Sequence, residues 1–384
     1  MARLNDVLKT IRKSTGAETL EKSSLAQVTE YLDSGSYAIN RVLTGDINKG
    51  FPVGRISTLF GLSQSGKSFI AAQTVINALK NDKVDVVYIF DSEGGTLVDT
   101  FRNAGVDMNK INHIPVASIE QCSVKMLAVY DELVQAKTDY MNDPDNNDNI
   151  RALCILDSYG ALAADKLVTD AVKKDQMVQD MGLGAKLKNN LMRGLMMRVP
   201  MSGATLLIIN HEYQDPAAMF SSKIHNMAGG KGIEFASHVI LQCEKVFVKS
   251  TDTDFLTGSE KDSDNVGFYK GNKLKFFTAK NRICKPMYSA TVYVDFSTGI
   301  SKYDGLIEDA VQLGFIEEVR GGYIIPSYSD KRVTYKDLVS KEEIWNTFID
   351  KFNKKSIEAM GYSNGISSEL DEIENSLETT SDNI

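Results

Sequence analysis

Four cysteines in 384 residues, none in a C-x-x-C pair, leave no zinc spacing and no disulfide framework. Cys122, Cys154, Cys243 and Cys284 have apolar neighbours, which predicts buried free thiols in a reducing compartment. No apolar run approaches the roughly 18–20 residues that cross a bilayer, so no membrane-spanning helix and no membrane partner are expected. The opening residues, Met1-Ala-Arg-Leu-Asn-Asp, lack a signal-peptide core, and a cytoplasmic location is expected. No internal repeat is visible. With 42% hydrophobic and 24% charged residues, the chain is neither a disordered polymer, a collagen-like fibre nor a coiled-coil rod.

Positive charge is missing from one end. Residues 356–384 carry seven acids (Glu358, Glu369, Asp371, Glu372, Glu374, Glu378, Asp382) and no Lys or Arg. Without them the rest holds 44 acids against 43 bases, so the net charge of −8 belongs to a tail and the body is neutral. A neutral body can hold a basic groove, and nucleic acid is not excluded as a partner.

Four segments are expected. Residues 1–31 form an N-terminal helical segment, with Leu4, Val7, Leu8 and Ile11 at helical spacing among Arg3, Lys9, Arg12 and Lys13. Residues 32–300 form an α/β core. Its apolar strands, Ile56–Phe60, Val84–Phe90, 152–156 and 205–209, are separated by helical patterns beginning near Lys67, Thr96, Ile119 and Leu183. Strands apolar on both faces that alternate with helices predict a mostly parallel, twisted central sheet. Asp139–Asn149 reads as a surface loop. Residues 301–355, with the only tryptophan, Trp345, form a small C-terminal unit, and 356–384 an acidic disordered tail.

The strongest chemical signal is Gly61-Leu62-Ser63-Gln64-Ser65-Gly66-Lys67-Ser68, a complete G-x-x-x-x-G-K-S between an expected strand and an expected helix. Its glycines let backbone N–H groups wrap phosphate oxygens, and the helix N-terminus adds positive charge. Lys67 would reach the β- and γ-phosphates of ATP, and the Ser68 hydroxyl would bind Mg²⁺. The strand Ala152-Leu153-Cys154-Ile155-Leu156-Asp157 ends in a carboxylate placed to hold that Mg²⁺ through water. A second acidic strand end, Phe90-Asp91-Ser92-Glu93, offers a group to polarise an attacking water; the chemistry alone does not choose between Asp91 and Glu93.

These motifs stand in a familiar order. Leu32–Ser68, with Asp33-Ser34-Gly35-Ser36 and Gly50-Phe51-Pro52-Val53-Gly54-Arg55-Ile56 ahead of the phosphate loop, resembles the opening of the RecA recombinase core. The resemblance covers roughly residues 32–305 and implies a RecA-type P-loop ATPase fold. It points to Glu93 as the catalytic glutamate. Asn210-His211 resembles the strand end that senses γ-phosphate, and Lys280-Asn281-Arg282 the basic pair that reaches a neighbouring protomer's ATP. Having Asn-His there, a compact N-terminus and an acidic tail brings the chain nearest in kind to the family's phage recombinases. Loop 159–182, with Lys166, Lys173 and Lys174, is similar in position to the first DNA-binding loop. Segment 212–233 is similar to the second, with Tyr213, Phe220, Lys223 and Lys231 as candidates. A loop of aromatics, Met, Lys and Gly suits single strands, since apolar groups stack on bases and Lys meets phosphate. Phe235 resembles an aromatic inserted across the subunit interface; the alternative is an ordinary core position. The chain departs from the family where an Asp and a Tyr usually face adenine: it has Leu97 and Thr100, leaving Phe101 as the nearest ring to stack on the base.

The resemblance implies a recombinase that forms filaments on single-stranded DNA, pairs it with duplex DNA and exchanges strands, with ATP and Mg²⁺ at protomer interfaces. A single-strand-binding protein and a loading mediator are implied partners. A hexameric helicase shares the fold but resembles its class in carrying a substantial domain before the motor, for which 60 residues leave little room. A weakly hydrolysing ATP-binding mediator is the other alternative, against which Glu93 argues.

Overall fold

A computed structural model describes residues 2–21, 23, 25–96, 98–145, 147–166, 169, 182–213, 226–246, 259–261 and 269–362. Contacts divide the chain into two units, Met1–Gly35 with Lys49–Val246 and Ser36–Asn48 with Phe247–Ile384. The division therefore falls near residue 246 rather than the expected 300. A short stretch around helix Tyr37–Thr44 belongs with the C-terminal half.

In the first unit, β1 (Tyr31–Leu32) and β2 (Phe51–Pro52) form an antiparallel ribbon. The central strands are β3 (Ile56–Gly61), β4 (Val86–Asp91), β5 (Ile111–Pro115), β6 (Ala152–Asp157), β7 (Thr205–Tyr213) and β9 (Val239–Lys245). They pair in parallel in the order β9–β3–β7–β6–β4–β5. A two-residue β8 (Asn226–Met227) runs antiparallel to the end of β7. Every residue of β3 is buried, the polar Ser57 and Thr58 included: with β7 and β9 on either side and helices over the faces, no side chain meets water.

Register decides where the chemistry lies. Asp91 of β4 stands opposite Asp157 of β6, and Gly61 of β3 stands opposite His211 of β7. The motifs thus end together at the carboxyl edge of the sheet, where open parallel sheets bind ligands. Helices start where expected at Lys67, Ile119 and Leu183, and at Val98 rather than Thr96. The Ser118 hydroxyl caps the 24-residue helix Ile119–Asn142, accepting from the Gln121 amide. That helix takes in the first four residues of the expected loop at 139–149.

In the second unit, β10 (Ser259–Lys261), β11 (Tyr269–Asn281), β12 (Ser289–Asp295) and β13 (Gly299–Ile300) pair antiparallel. β14 (Glu317–Val319), β15 (Gly322–Ile325) and β16 (Ser329–Val333) form a three-stranded sheet. Trp345 is fully buried, stacked on Tyr303 at 5.3 Å, and its indole N–H donates to the Leu338 carbonyl at 2.7 Å. Helix Ile349–Met360 runs through the expected start of the tail. Ser356 and Met360 are buried, and the Ser356 hydroxyl accepts from Arg41 and donates to the Gly45 carbonyl. The folded chain therefore extends beyond 356, and the rest of the expected tail, from 363, lies outside the described residues.

The four thiols are free and buried, as their neighbours suggested. Burial pushes Cys122, Cys154 and Cys243 up to about 12 and Cys284 up to about 11.

Candidate functional site

The turn between β3 and helix Lys67–Lys80 holds the phosphate-loop motif. Leu62, Ser63 and Gln64 are exposed, while Ser65 and Lys67 are buried. Gln64 (φ 61°) and Gly66 (φ 88°) take left-handed backbone, and Gly66 caps the helix with no side-chain hydrogen bond. Gly61 is demanded by packing, because a Cβ there would lie 2.0 Å from the Cys243 carbonyl oxygen on β9. The Lys67 ammonium curls over its own loop and donates to the carbonyls of Gly61 (2.9 Å) and Leu62 (2.6 Å). Burial lowers the Lys67 pKa, and nearby acids, Asp157 and Glu93 among them, offset part of that.

Beside it, the Ser68 hydroxyl donates to Asp157 Oδ2 at 3.0 Å. Burial raises the Asp157 carboxyl, and the Ser68 hydrogen bond opposes the rise. A hydroxyl paired with one carboxylate fits Mg²⁺, which takes few protein oxygens and completes its shell with water and phosphate. No group of three or more His, Cys, Asp or Glu suited to a metal occurs among the described residues. A cavity of about 30 Å³ beside Ser68 and Asp157 is lined also by Thr96 and Phe101.

The geometry separates the two candidate acids. Asp91 is buried, and its carboxylate accepts from the amides of Glu93 (2.9 Å) and Gly94 (2.7 Å) and from the Thr96 hydroxyl (2.6 Å). His113 Nε2 lies 3.2 Å from the same carboxylate. Burial raises the Asp91 carboxyl, these hydrogen bonds outweigh it, and the result is about 2. Glu93 is exposed. Its carboxylate meets His211 Nε2 at 2.6 Å and accepts from the Ser158 hydroxyl. Burial raises Glu93, but the hydrogen bonds from Ser158 and His211 with the charge of Lys67 bring it below the ordinary glutamate value. Asp91 is thus spent on the turn, and Glu93 faces solvent. Ser92 ties that turn to the end of β6, donating to the Ser158 carbonyl and accepting from the Ser158 amide, both at 2.9 Å.

At the end of β7, Asn210 is fully buried. Its amide donates to the Ala228 carbonyl at 2.8 Å, and its carbonyl oxygen accepts from the His211 amide at 2.9 Å. His211 and Asn210 therefore join Glu93 to the backbone that follows segment 214–225. One edge of the first unit brings together Lys67, Ser68, Asp157, Glu93 and His211. Ser92, Ser158, Thr96 and His113 were not anticipated; Ser158 was within reach, since it follows Asp157 directly.

Phe101 does not take the stacking position expected of it. It is 3% exposed, the buried residue of its short helix, packed by the cavity under helix Lys67–Lys80 with Ala71, Ala72 and Ile89. Helical register turns this ring inward, where it lines the cavity beside Ser68 and Asp157 instead of standing on an open surface. Leu97 lies outside the described residues, as do Lys173, Lys174, Phe220 and Lys223. Lys166 and Lys231 are exposed, and Tyr213 ends β7. Phe235 is 63% exposed on helix Lys231–Ala236, which excludes the core alternative. In the second unit, Lys280 is half-buried near the end of β11 and Arg282 is exposed.

A mostly parallel sheet with a phosphate loop and an acidic strand end at its carboxyl edge defines the P-loop ATPase architecture. The family model for the RecA N-terminal domain matches residues 2–301, and the chain belongs to the RecA family. It is 26% identical over 307 residues to the "Recombination and repair protein" of Enterobacteria phage T4, covering 80% of this chain and 69% of that one. To the "Protein RecA" of Aquifex aeolicus it is 27% identical over 362 residues, 91% of this chain and 90% of that one. To that of Mycoplasma genitalium it is 24% identical over 340 residues, 88% and 83%. Membership carries a general role, that of a DNA-binding ATPase of recombination. No helix among the described residues is long and apolar enough to cross a membrane.

Proposed function

We propose that the chain is an ATP-dependent recombinase, of the kind the phage recombinase UvsX represents, that polymerises on single-stranded DNA and exchanges strands with a homologous duplex. The observation that carries this reading is the Glu93 carboxylate, held by Ser158 and His211 beside Lys67, Ser68 and Asp157. A mediator that merely binds nucleotide has no need of a braced, ionised glutamate there.

Bound ATP and Mg²⁺ supply the transferable phosphoryl group and its bridging cation. Residues 61–66 would wrap the phosphates with backbone N–H groups, and Lys67 would exchange the Gly61 and Leu62 carbonyls for phosphate oxygens. Ser68 and Asp157 would hold the cation. Glu93, depressed below its ordinary pKa, stays anionic at neutral pH and would orient the attacking water and accept its proton. His211 would exchange its Glu93 bond for the γ-phosphate, and Asn210 would pass that change to the segment following 214–225. Lys280 and Arg282 would act on the ATP of the neighbouring protomer, tying hydrolysis to assembly.

Lys166, Lys173, Lys174, Tyr213, Phe220, Lys223 and Lys231 would meet DNA. Phe235 and the N-terminal helix would make protomer contacts. The apolar side of helix Ala2–Thr15, Leu4, Val7, Leu8 and Ile11, is exposed in the single chain, as such a contact requires. A single-strand-binding protein and a loading mediator complete the reading, in the cytoplasm of a host cell. Joint-molecule formation tests it: single-stranded DNA coated with the protein is mixed with homologous or heterologous duplex in ATP. Displacement loops are expected with the homologous duplex alone. Equal yields, or strand unwinding without pairing, would refute strand exchange, and Glu93→Gln should bind ATP but turn it over only at a small residual rate.

A further inference from the structure

We propose that Asp91 is a positioning residue for Glu93, clamped by Thr96 and His113, and that this buried carboxylate sets where the Glu93 side chain reaches. The inference rests on the reading of Glu93 as the water-orienting group.

Asp91 and Glu93 lie two residues apart on the turn that leaves β4, but their surroundings divide the labour. The Asp91 side chain is 3% exposed, against 39% for Glu93. Four donors surround the Asp91 carboxylate: the amides of Glu93 and Gly94 on one oxygen, Thr96 and His113 on the other. A carboxylate so engaged has no lone pair left for water or metal. Its first partner, though, is the backbone amide of Glu93 itself, so whatever holds Asp91 also fixes the Cα from which the Glu93 side chain extends.

The other end of that side chain is fixed separately. Ser158 and His211 bond the Glu93 carboxylate, and Ser92 binds the turn to the end of β6. The Glu93 side chain is therefore braced at its base by Asp91 and at its tip by groups from β6 and β7. His113 comes from β5, the strand beyond β4, so the base of the brace is anchored away from the nucleotide side. An Asp91 carboxyl held at about 2 stays ionised throughout the working range, which makes the brace permanent.

Its effect on rate follows from distance. A general base contributes on the order of 10²–10⁴ in rate, and a misplacement of about 1 Å costs on the order of 10²-fold. Thr96→Val deletes the shortest of the four bonds and keeps the side-chain shape, so kcat should fall about tenfold. Asp91→Asn should fall further.

The experiment measures ATP turnover by the full chain on single-stranded DNA, with binding of a fluorescent ATP analogue as a separate readout. Expected are a lower kcat for Thr96→Val and Asp91→Asn with KM and analogue binding unchanged, and recovery of most of the rate in Thr96→Ser, which restores the hydroxyl. In a Glu93→Gln background, adding Thr96→Val should cost nothing more, because the group it positions is already gone. If Glu93→Gln keeps only a small residual rate while Thr96→Val and Asp91→Asn keep the parental kcat, the positioning role is overturned and the base assignment stands. An equal further loss in the Glu93→Gln background also overturns it. Parental turnover by Glu93→Gln itself removes the base assignment and this inference together.

Discussion

Replacing Gly61 by alanine adds one methyl group at the most crowded point of the phosphate loop. That Cβ would stand 2.0 Å from the Cys243 carbonyl oxygen and 2.9 Å from Ser65 Oγ. The serine can rotate, but the carbonyl belongs to the backbone of β9, which pairs with β3 in parallel from Ser57 to Phe60. Ordinary contact requires the end of β3 and the carbonyl to separate by about 1 Å or more. Overpacking of this kind costs about 1–3 kcal/mol. The displaced piece carries the Gly61 and Leu62 carbonyls that hold Lys67, so the lysine moves with it. A shift of about 1 Å at a phosphate-binding lysine should lower kcat/KM for ATP by on the order of 10²-fold. Steady-state ATPase on single-stranded DNA, binding of a fluorescent ATP analogue and thermal unfolding should be read together. Weak binding and slow turnover with a modest loss of stability are expected; parental kcat/KM would refute the packing argument.

Arg282→Ala should cripple hydrolysis by on the order of 10³-fold, as loss of an arginine finger does. Mixing it with Lys67→Ala subunits should restore some activity, and no recovery in confirmed co-assemblies would count against action in trans. Asp91 makes stability depend on pH: held at about 2 against an ordinary 3.8, it contributes about 2 kcal/mol that is complete above about pH 5 and lost as pH falls through 2. The stability gap between parental protein and Asp91→Asn, measured by urea unfolding, should therefore narrow from pH 6 to pH 3, and a constant gap would contradict the assignment. Truncation after Tyr362 removes the six acids from Glu369 onward and spares the buried Ser356 and Met360. Duplex DNA binding should tighten most at low salt, where a tethered polyanion competes best, and equal affinities at every salt concentration would leave the acids without that role.

Much of this was legible in the sequence, and the reasons are local. A phosphate loop declares itself because its glycines and its Lys-Ser pair are contiguous. The buried strands β3, β4, β6 and β7 read as apolar runs because both faces are covered. What escaped depends on neighbours distant in the chain. β5 is short and sets the polar pair Asn112-His113 between its two isoleucines, and β9, although it opens on Val239-Ile240-Leu241, was not among the strands expected, so the sheet is wider than those four. Phe101 is turned inward by helical register, which spacing alone does not orient against a particular core. The resemblance already pointed to Glu93, but the partners that give Asp91 and Glu93 different surroundings, His113, Ser158 and His211, lie on or beside three other strands and could not be read from spacing. Helix Tyr37–Thr44 joins the second unit through Arg41, whose guanidinium meets Asp309 at 2.6 Å from 268 residues away.

The burial of every cysteine leaves the molecule chemically silent to thiol reagents. With thiols pushed up to about 11 or 12, at most roughly one in 10⁴ is ionised at pH 7, and all four are sheltered as well. A new cysteine on the surface would then be the one site a maleimide dye finds, with no native residue to remove first. Asp145 in the first unit and Asp330 in the second are both exposed. A donor and acceptor placed at these two positions would report, molecule by molecule, how the separation of the two units responds to nucleotide and to DNA.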